Sequence, residues 1–344
     1  MKKLIIILIT VAYCLWSKAT SRFICITCFF VLILSGLPTV NCVGQQDALY
    51  SQYMFNPLVL NPAYAGSREA LSMVLLHRSQ WWGFDGAPST QTFSAHTPLI
   101  LLGNKSGKRK RSRALENKKI GVGLNLINDN IGPGNSLGIF GSGAYRLAIG
   151  EGKLSMGLKA GFFKYSIDWN AIEYEVPSPY ISNKDTRILP SFDFGLYYYT
   201  DMFYAGAALT HLSRPSIAVD SANNKIDGHL SRHFILTTGY AFIVNEFIIF
   251  KPSILMKYVK SAPLAVDINT NFLFYGKLWV GTSFRWKNGI VFLTEFNFTD
   301  QLKAGYAFDL TLNPIRKHSK GSHEIFISAD LNLWKTKVKC PRFF

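Results

Sequence analysis

The sequence predicts an all-β fold: a transmembrane, outer-membrane antiparallel β-barrel of about 14 strands preceded by a short folded N-terminal segment. Three observations predict it. Hydrophobic residues make up 48% of the 344 positions, yet after Leu37 no run approaches the ~18 uninterrupted apolar residues of a spanning helix. Apolar residues recur instead with period two, the signature of strands whose alternate side chains meet different surroundings. About fourteen such segments lie between residues 71 and 334, mostly ~10 to 13 residues long. A tilted spanning strand needs ~9 to 11 residues, whereas soluble strands average ~5 to 6. Closure into a barrel pairs every backbone N–H and C=O, so that no sheet edge faces lipid.

At the start of the chain, Lys2 and Lys3 precede an apolar run from Leu4 to Trp16, and Lys18 and Arg22 precede a second from Phe23 to Leu37. This is a signal-peptide layout with a doubled front end, and Cys42 and Gly44 suit a cut before Gln45. Residues 1–44 are therefore expected to be a signal peptide, 45–68 an N-terminal periplasmic or plug segment, and 69–344 the barrel. Lipid on Cys42 would need a small residue before it and finds Asn41; a retained anchor over Phe23 to Leu37 falls short of the ~20 residues needed to span. Cleavage would remove Cys14, Cys25, Cys28 and Cys42 and leave only Cys340, so neither a disulfide framework nor a zinc site is expected.

Along the barrel, alternation is plainest in the last third. Leu264, Val266, Ile268 and Phe272 share one face against Asp267, Asn269 and Asn271; Leu278, Val280 and Phe284 alternate with Gly281, Ser283 and Arg285. Leu302, Tyr306 and Leu310 oppose Lys303 and Asp309, and Ile325, Ile327 and Leu331 oppose Glu324, Ser328 and Asp330. Connections are long at 105–119, 174–187 and 214–230 and tight near Gly150, Asp201, Asn245, Gly276 and Asp300. Barrels carry long loops outside and short turns in the periplasm, so all three long connections are expected outside. Eight bases fall between Lys105 and Lys119 in a chain of net charge +16. They form a solvated external loop suited to anionic lipopolysaccharide, and no nucleic-acid partner is expected. Trp81, Trp82, Tyr197, Tyr198, Tyr199, Trp279, Trp286 and Trp334 are expected in interfacial girdles. Gly121, Gly123, Gly138, Gly141, Gly143, Gly157 and Gly161 cluster in the early strands, where either barrel curvature or a segment leaning on the wall would call for them.

Catalytic chemistry finds little support. His77 and Ser79, His211 and Ser213, and His229 and Ser231 each share a strand face, but no carboxylate is spaced to orient these histidines. GxSxG, HExxH, phosphate-loop and dinucleotide patterns are absent, so no enzyme, cofactor or metal is expected. A passive outer-membrane pore or small-molecule transporter is the alternative, resting on a polar lumen with Asp267, Asn269, Arg285, Lys287, Asp309 and Asp330.

Period two breaks down before the first strand. Tyr50, Tyr53, Phe55 and Tyr64 surround the turns Asn56-Pro57 and Asn61-Pro62, giving a structured segment that tucks into the barrel or its periplasmic mouth. Here the chain resembles the PorP/SprF family of type IX secretion system membrane proteins of Bacteroidota. The matching pieces run from Ser51, Gln52, Tyr53, Met54, Phe55, Asn56 and Pro57 through Asn61, Pro62, Ala63, Tyr64, Ala65 and Gly66. They continue with Arg78, Gln80 and Trp81, then Gly83, Phe84, Asp85, Gly86, Ala87 and Pro88, running on to Gln91 and Thr92 and to His96, Thr97 and Pro98, and at the far end 321–325 and 340–344. The doubled export segment and the basic loop depart from the family's pattern.

The resemblance implies a barrel of the bacterial cell outer membrane, set in outer-membrane lipid and serving type IX secretion and gliding motility by secreting or anchoring large adhesins. Its implied partners are the C-terminal domain of a secreted surface adhesin, a periplasmic peptidoglycan-associated lipoprotein and the type IX ring components. The N-terminal motif and Gly83 to Pro88, rich in turn formers and poor in titratable groups, are expected to form one fixed structural collar, with Asp85 bonded to local turn amides. The long outer loops and the lumen are then left to receive the partner.

Overall fold

A computed structural model describes residues 49–99, 119–168, 184–215, 219–221, 224–226, 229–260 and 262–331. The signal peptide, the cut before Gln45, most of the basic loop, Trp334 and the 340–344 tail lie outside them, as does most of the 174–187 connection.

The wall begins with β1 (Leu71–Ser79), β2 (Ser89–Leu99), β3 (Ile120–Ile131), β4 (Gly134–Ile149), β5 (Gly152–Asp168), β6 (Lys184–Tyr199) and β7 (Phe203–Thr210). A small separate hairpin, β8 (Val219–Ser221) with β9 (Asn224–Ile226), interrupts the path to β10 (His233–Tyr240) and β11 (Phe242–Asn245). The wall continues with β12 (Ile248–Val259), β13 (Ala265–Phe274), β14 (Leu278–Arg285), β15 (Gly289–Asn297), β16 (Leu302–Thr311) and β17 (Ser322–Leu331). Each strand pairs antiparallel with its neighbours. Pairing of β1 with β17, and of β10 with β12, closes a barrel of 14 wall strands in which β10 and β11 form one strand broken at Ala241.

Period two sorts the side chains as the sequence predicts. Ile268, Phe272, Val280, Phe284, Ile325 and Ile327 face outward and exposed, while Asn269, Asn271, Ser283, Arg285 and Glu324 are buried in the lumen. The same rule corrects the girdle. Tyr197 and Tyr199 alternate with Tyr198, so only Tyr198 points out; Tyr197, Tyr199 and Trp279 are buried inside, and Trp82 and Trp286 keep exposed rim positions.

Strand order also fixes the two ends. The connections 150–151, 200–202, 246–247, 275–277 and 298–301 share one end with the start of β1 and the end of β17. The connections 80–88, 169–183 and 211–232 lie at the other. The basic connection between β2 and β3 is anchored at Leu99 and Ile120, at the tight-turn end, opposite the other two long connections. The expectation that all three long connections share one end is thereby overturned: length suggested a common end, but strand parity decides.

Candidate functional site

Residues 50–66 occupy the lumen. Asn61 has the extended backbone that a following proline favours, with φ of −139° and ψ of 112°; Asn56 shares the φ region at −132°, but its ψ of 63° lies outside the extended range. A single helical turn, α1 (Pro57–Leu60), and a 3-10 turn over Pro62–Tyr64 follow, and Asn61 Oδ1 accepts from the Ala63 amide at 3.0 Å. Such tight winding sends apolar side chains in every direction, and only a surrounding wall can bury them all. Tyr50, Tyr53, Met54, Val59 and Leu60 pack against Leu76, Leu255, Leu293 and Phe326; Leu58, Ala63, Tyr64 and Ala65 pack against Ala144, Tyr197 and Tyr204.

Near the long-loop end, charge fixes the segment. Glu324 accepts the Ser51 amide at 2.8 Å and the Gln52 amide at 2.7 Å, one on each carboxylate oxygen, and its carbonyl accepts Gln52 Nε2 at 3.1 Å. Arg78, cross-strand partner of Glu324, donates to Glu324 at 3.2 Å, to Ser51 Oγ at 2.6 Å and to Asp309 at 3.1 Å. Arg285 donates to Asp309 at 2.6 Å, to the Tyr50 carbonyl at 2.9 Å and to Asp267 at 3.3 Å. Two guanidiniums and three carboxylates thus enclose the segment's backbone with charge-assisted bonds, each ion depending on its partners because burial strips its water.

Lower in the lumen, Asn269 Nδ2 donates to the Tyr53 hydroxyl. Burial holds the Tyr53 phenol neutral by raising its pKa well above the ordinary 10. Phe55 stacks on Phe326 at 5.5 Å with Trp279 edge-on at 6.3 Å, and Ser94 Oγ donates to Asn56 Oδ1 at 2.8 Å. Toward the tight-turn end, Asn61 Nδ2 donates to the Leu196 carbonyl at 2.9 Å, Ser155 Oγ to the Ala63 carbonyl at 2.6 Å, and the Gly66 amide to His96 Nδ1 at 3.1 Å. Arg68 ends the path, bonded to the Tyr64 hydroxyl at 3.2 Å and to Asp330 at 2.9 Å. Burial opposes the Arg68 charge, but Tyr64 and Asp330 outweigh it and raise its pKa.

Glycines let the wall approach. A Cβ at Gly121 would meet the Ala65 carbonyl, one at Gly157 the Ala63 amide, and one at Gly195 the Asn61 side chain. Gly123 similarly faces Leu58. The reading of a segment leaning on the wall therefore applies at Gly121, Gly123 and Gly157, whereas Gly138 and Gly161 sit against wall phenylalanine rings and Gly141 and Gly143 face open space. Gly195, Gly206 and Ser155 were not singled out from sequence, whereas His96 belongs to the family-like piece His96-Thr97-Pro98. Glycine recurring at lumen-facing positions of adjacent strands is the signal that would have found the first two.

The Gly83 to Pro88 stretch is elsewhere, on the long-loop rim. Gly83 and Gly86 take φ of +90° and +70°, which glycine alone adopts freely. The Gln80 amide donates to the Pro88 carbonyl at 2.9 Å, the Trp81 amide to Ser322 Oγ at 3.0 Å, the Trp82 amide to the Gly321 carbonyl at 2.7 Å, and the Gly132 amide to the Gly86 carbonyl at 2.9 Å. Phe84 is half exposed and Asp85 is exposed. Among the described residues, no hydrogen bond or ring contact joins this stretch to residues 50–66. Nor do turn amides bond Asp85; Phe84 and Ala87 donate to backbone carbonyls instead.

The histidine–serine pairs also resolve. His77 Nε2 lies 3.1 Å from Ser79 Oγ on the exposed face, whereas His211 approaches Ser191 at 3.1 Å rather than Ser213. Among the described residues no group of three His, Cys, Asp or Glu side chains could hold a metal. What the lumen groups do is bind the chain's own backbone and exclude water from it.

The crystal structure of the outer membrane protein Omp33 of Acinetobacter baumannii is 11% identical, with a TM-score of 0.43, covering 76% of this chain and 99% of that one. The Ralstonia pickettii toluene transporter TbuX is 10% identical with a TM-score of 0.43 over 80% and 93%, and the translocator domain of autotransporter NalP from Neisseria meningitidis is 10% identical with a TM-score of 0.38 over 81% and 94%. No curated protein matches the chain. The family model of the type IX secretion system membrane protein PorP/SprF matches residues 42–329. With its closed wall, apolar outer belt and that match, this outer-membrane barrel belongs to the PorP/SprF family of type IX secretion system membrane proteins.

Proposed function

We propose that the protein is a docking barrel of the type IX secretion and gliding machinery, which holds a large surface adhesin through the adhesin's C-terminal domain and does not conduct it. The observation that carries this reading is the filled lumen: residues 50–66 are buried against wall residues along its length, with ions fixing the segment at Glu324 and Asp330. A passive pore would need that space for solute. The adhesin meets the long-loop end, where Trp82, Phe84 and Trp286 stand exposed and where β5 ends, β6 begins, β7 ends and β10 begins. A peptidoglycan-associated lipoprotein and the ring components meet the tight-turn end, where β2 and β3 anchor the basic connection. Residues 50–66 and Gly83 to Pro88 act structurally, as two separate units.

Deleting 214–230 tests the reading. Adhesin display on the cell surface should be lost while a heat-modifiable barrel remains in the outer membrane, and substituting Asn56 or Asn61 should instead lower barrel abundance. Normal display without the loop, together with a stable but inactive Asn61 variant, would move the partner site to the N-terminal segment.

A further inference from the structure

On the lipid-facing surface, β7 differs from its neighbours. Its outward positions include Ala205 and Ala207, whereas the residues paired beside them are Tyr198 and Leu196 on β6 and Thr238 and Leu236 on β10. Ile254 and Met256 follow on β12. The small pair leaves a trough of about 400 Å³ running along the strand. On the β10 side the outward hydroxyl of Thr238 already donates to the Tyr204 carbonyl at 3.1 Å, and the rest of the outward lining is largely apolar. It lies toward the tight-turn end, where Tyr198 and Phe203 meet at 6.5 Å.

We propose that this trough binds one acyl chain of a phospholipid from the inner leaflet of the outer membrane. Continuity with the bilayer-facing belt decides the class of occupant, since hydrocarbon is what surrounds the outward side chains. Width decides its form. The floor is a single strand bounded by Leu196 and Tyr198 on one side and Leu236 on the other, each on a strand ~4.8 Å away. A helix of ~10 Å diameter cannot enter, whereas one extended methylene chain can. Filling the trough restores the dispersion contacts that its lining otherwise lacks. Short turns mark the periplasmic end of a barrel, which places the chain in the inner leaflet.

The test uses the full barrel reconstituted in vesicles of saturated phosphatidylethanolamine, extracted in mild detergent and weighed by native mass spectrometry. The parent protein and the outward control Val280→Leu should each retain one phospholipid. The double substitution Ala205→Leu with Ala207→Leu should retain about tenfold less, and Ala207→Val alone an intermediate amount. Unchanged heat modifiability certifies the fold of each variant. Equal retention in all four proteins would overturn the proposal, as would a parent that keeps no lipid. So would lipid A in place of phospholipid on protein taken from cells, or a second copy of the barrel covering β7.

Discussion

The Asn61 side chain occupies the place where a Cβ on Gly195 would stand. Its amide nitrogen reaches the Leu196 carbonyl at 2.9 Å only because the wall is bare there. Gly195→Ala should therefore unseat the segment locally, at the ~1–3 kcal/mol typical of overpacking. The temperature at which the folded band disappears on an unboiled gel should fall, and adding Asn61→Gly should return part of the loss. A Gly195→Ala barrel as heat-resistant as its parent would show that this approach contributes nothing to stability.

Removing Glu324 should cost more. Glu324→Ala leaves two buried segment amides without their acceptor and Arg78 with Asp309 as its remaining carboxylate, and breaking a buried ion pair typically costs ~3–5 kcal/mol. Glu324→Gln keeps the shape but loses the charge and should fall between. Urea unfolding in lipid bilayers measures both, and a loss under ~1 kcal/mol for the alanine variant would mean that the ions are not the segment's main tether.

Single-channel recording addresses the lumen directly. The parent barrel should stay electrically silent in planar bilayers, and a barrel lacking residues 49–66 should conduct steadily. Steady conductance by the parent would restore the pore reading.

High pH should loosen the segment through Tyr53. Its folded pKa lies above the unfolded value of 10, so its contribution is complete below pH 10 and is lost as pH rises from there through the folded value. Each unit in that window removes up to ~1.4 kcal/mol. Heat resistance compared at pH 9 and pH 11 should drop more steeply in the parent than in Tyr53→Phe; parallel curves would show that the phenol has no part.

Much of the wall was legible because alternation is local: the faces carrying Ile268 and Asn269, or Ile325 and Glu324, follow from the next few residues alone. The end at which each connection emerges needs the full parity of strands, so the Leu99-to-Ile120 connection was misplaced. In the segment, Asn56-Pro57 and Asn61-Pro62 announced turns. What those turns touch could not be read, because Arg78, Arg285, Asp309 and Glu324 converge on Ser51 from positions scattered over most of the chain. Turn chemistry marks rigid pieces without saying whether they meet.

The lumen segment has a direction. Tyr50 lies near Arg285 at the long-loop end and Arg68 beside Asp330 at the tight-turn end, so the chain descends the lumen before β1 climbs the wall from that same end. Segment and first strand thus form a hairpin-like pair with Arg68 near its bend. The strand that completes the wall against β17 therefore carries the barrel's own plug with it.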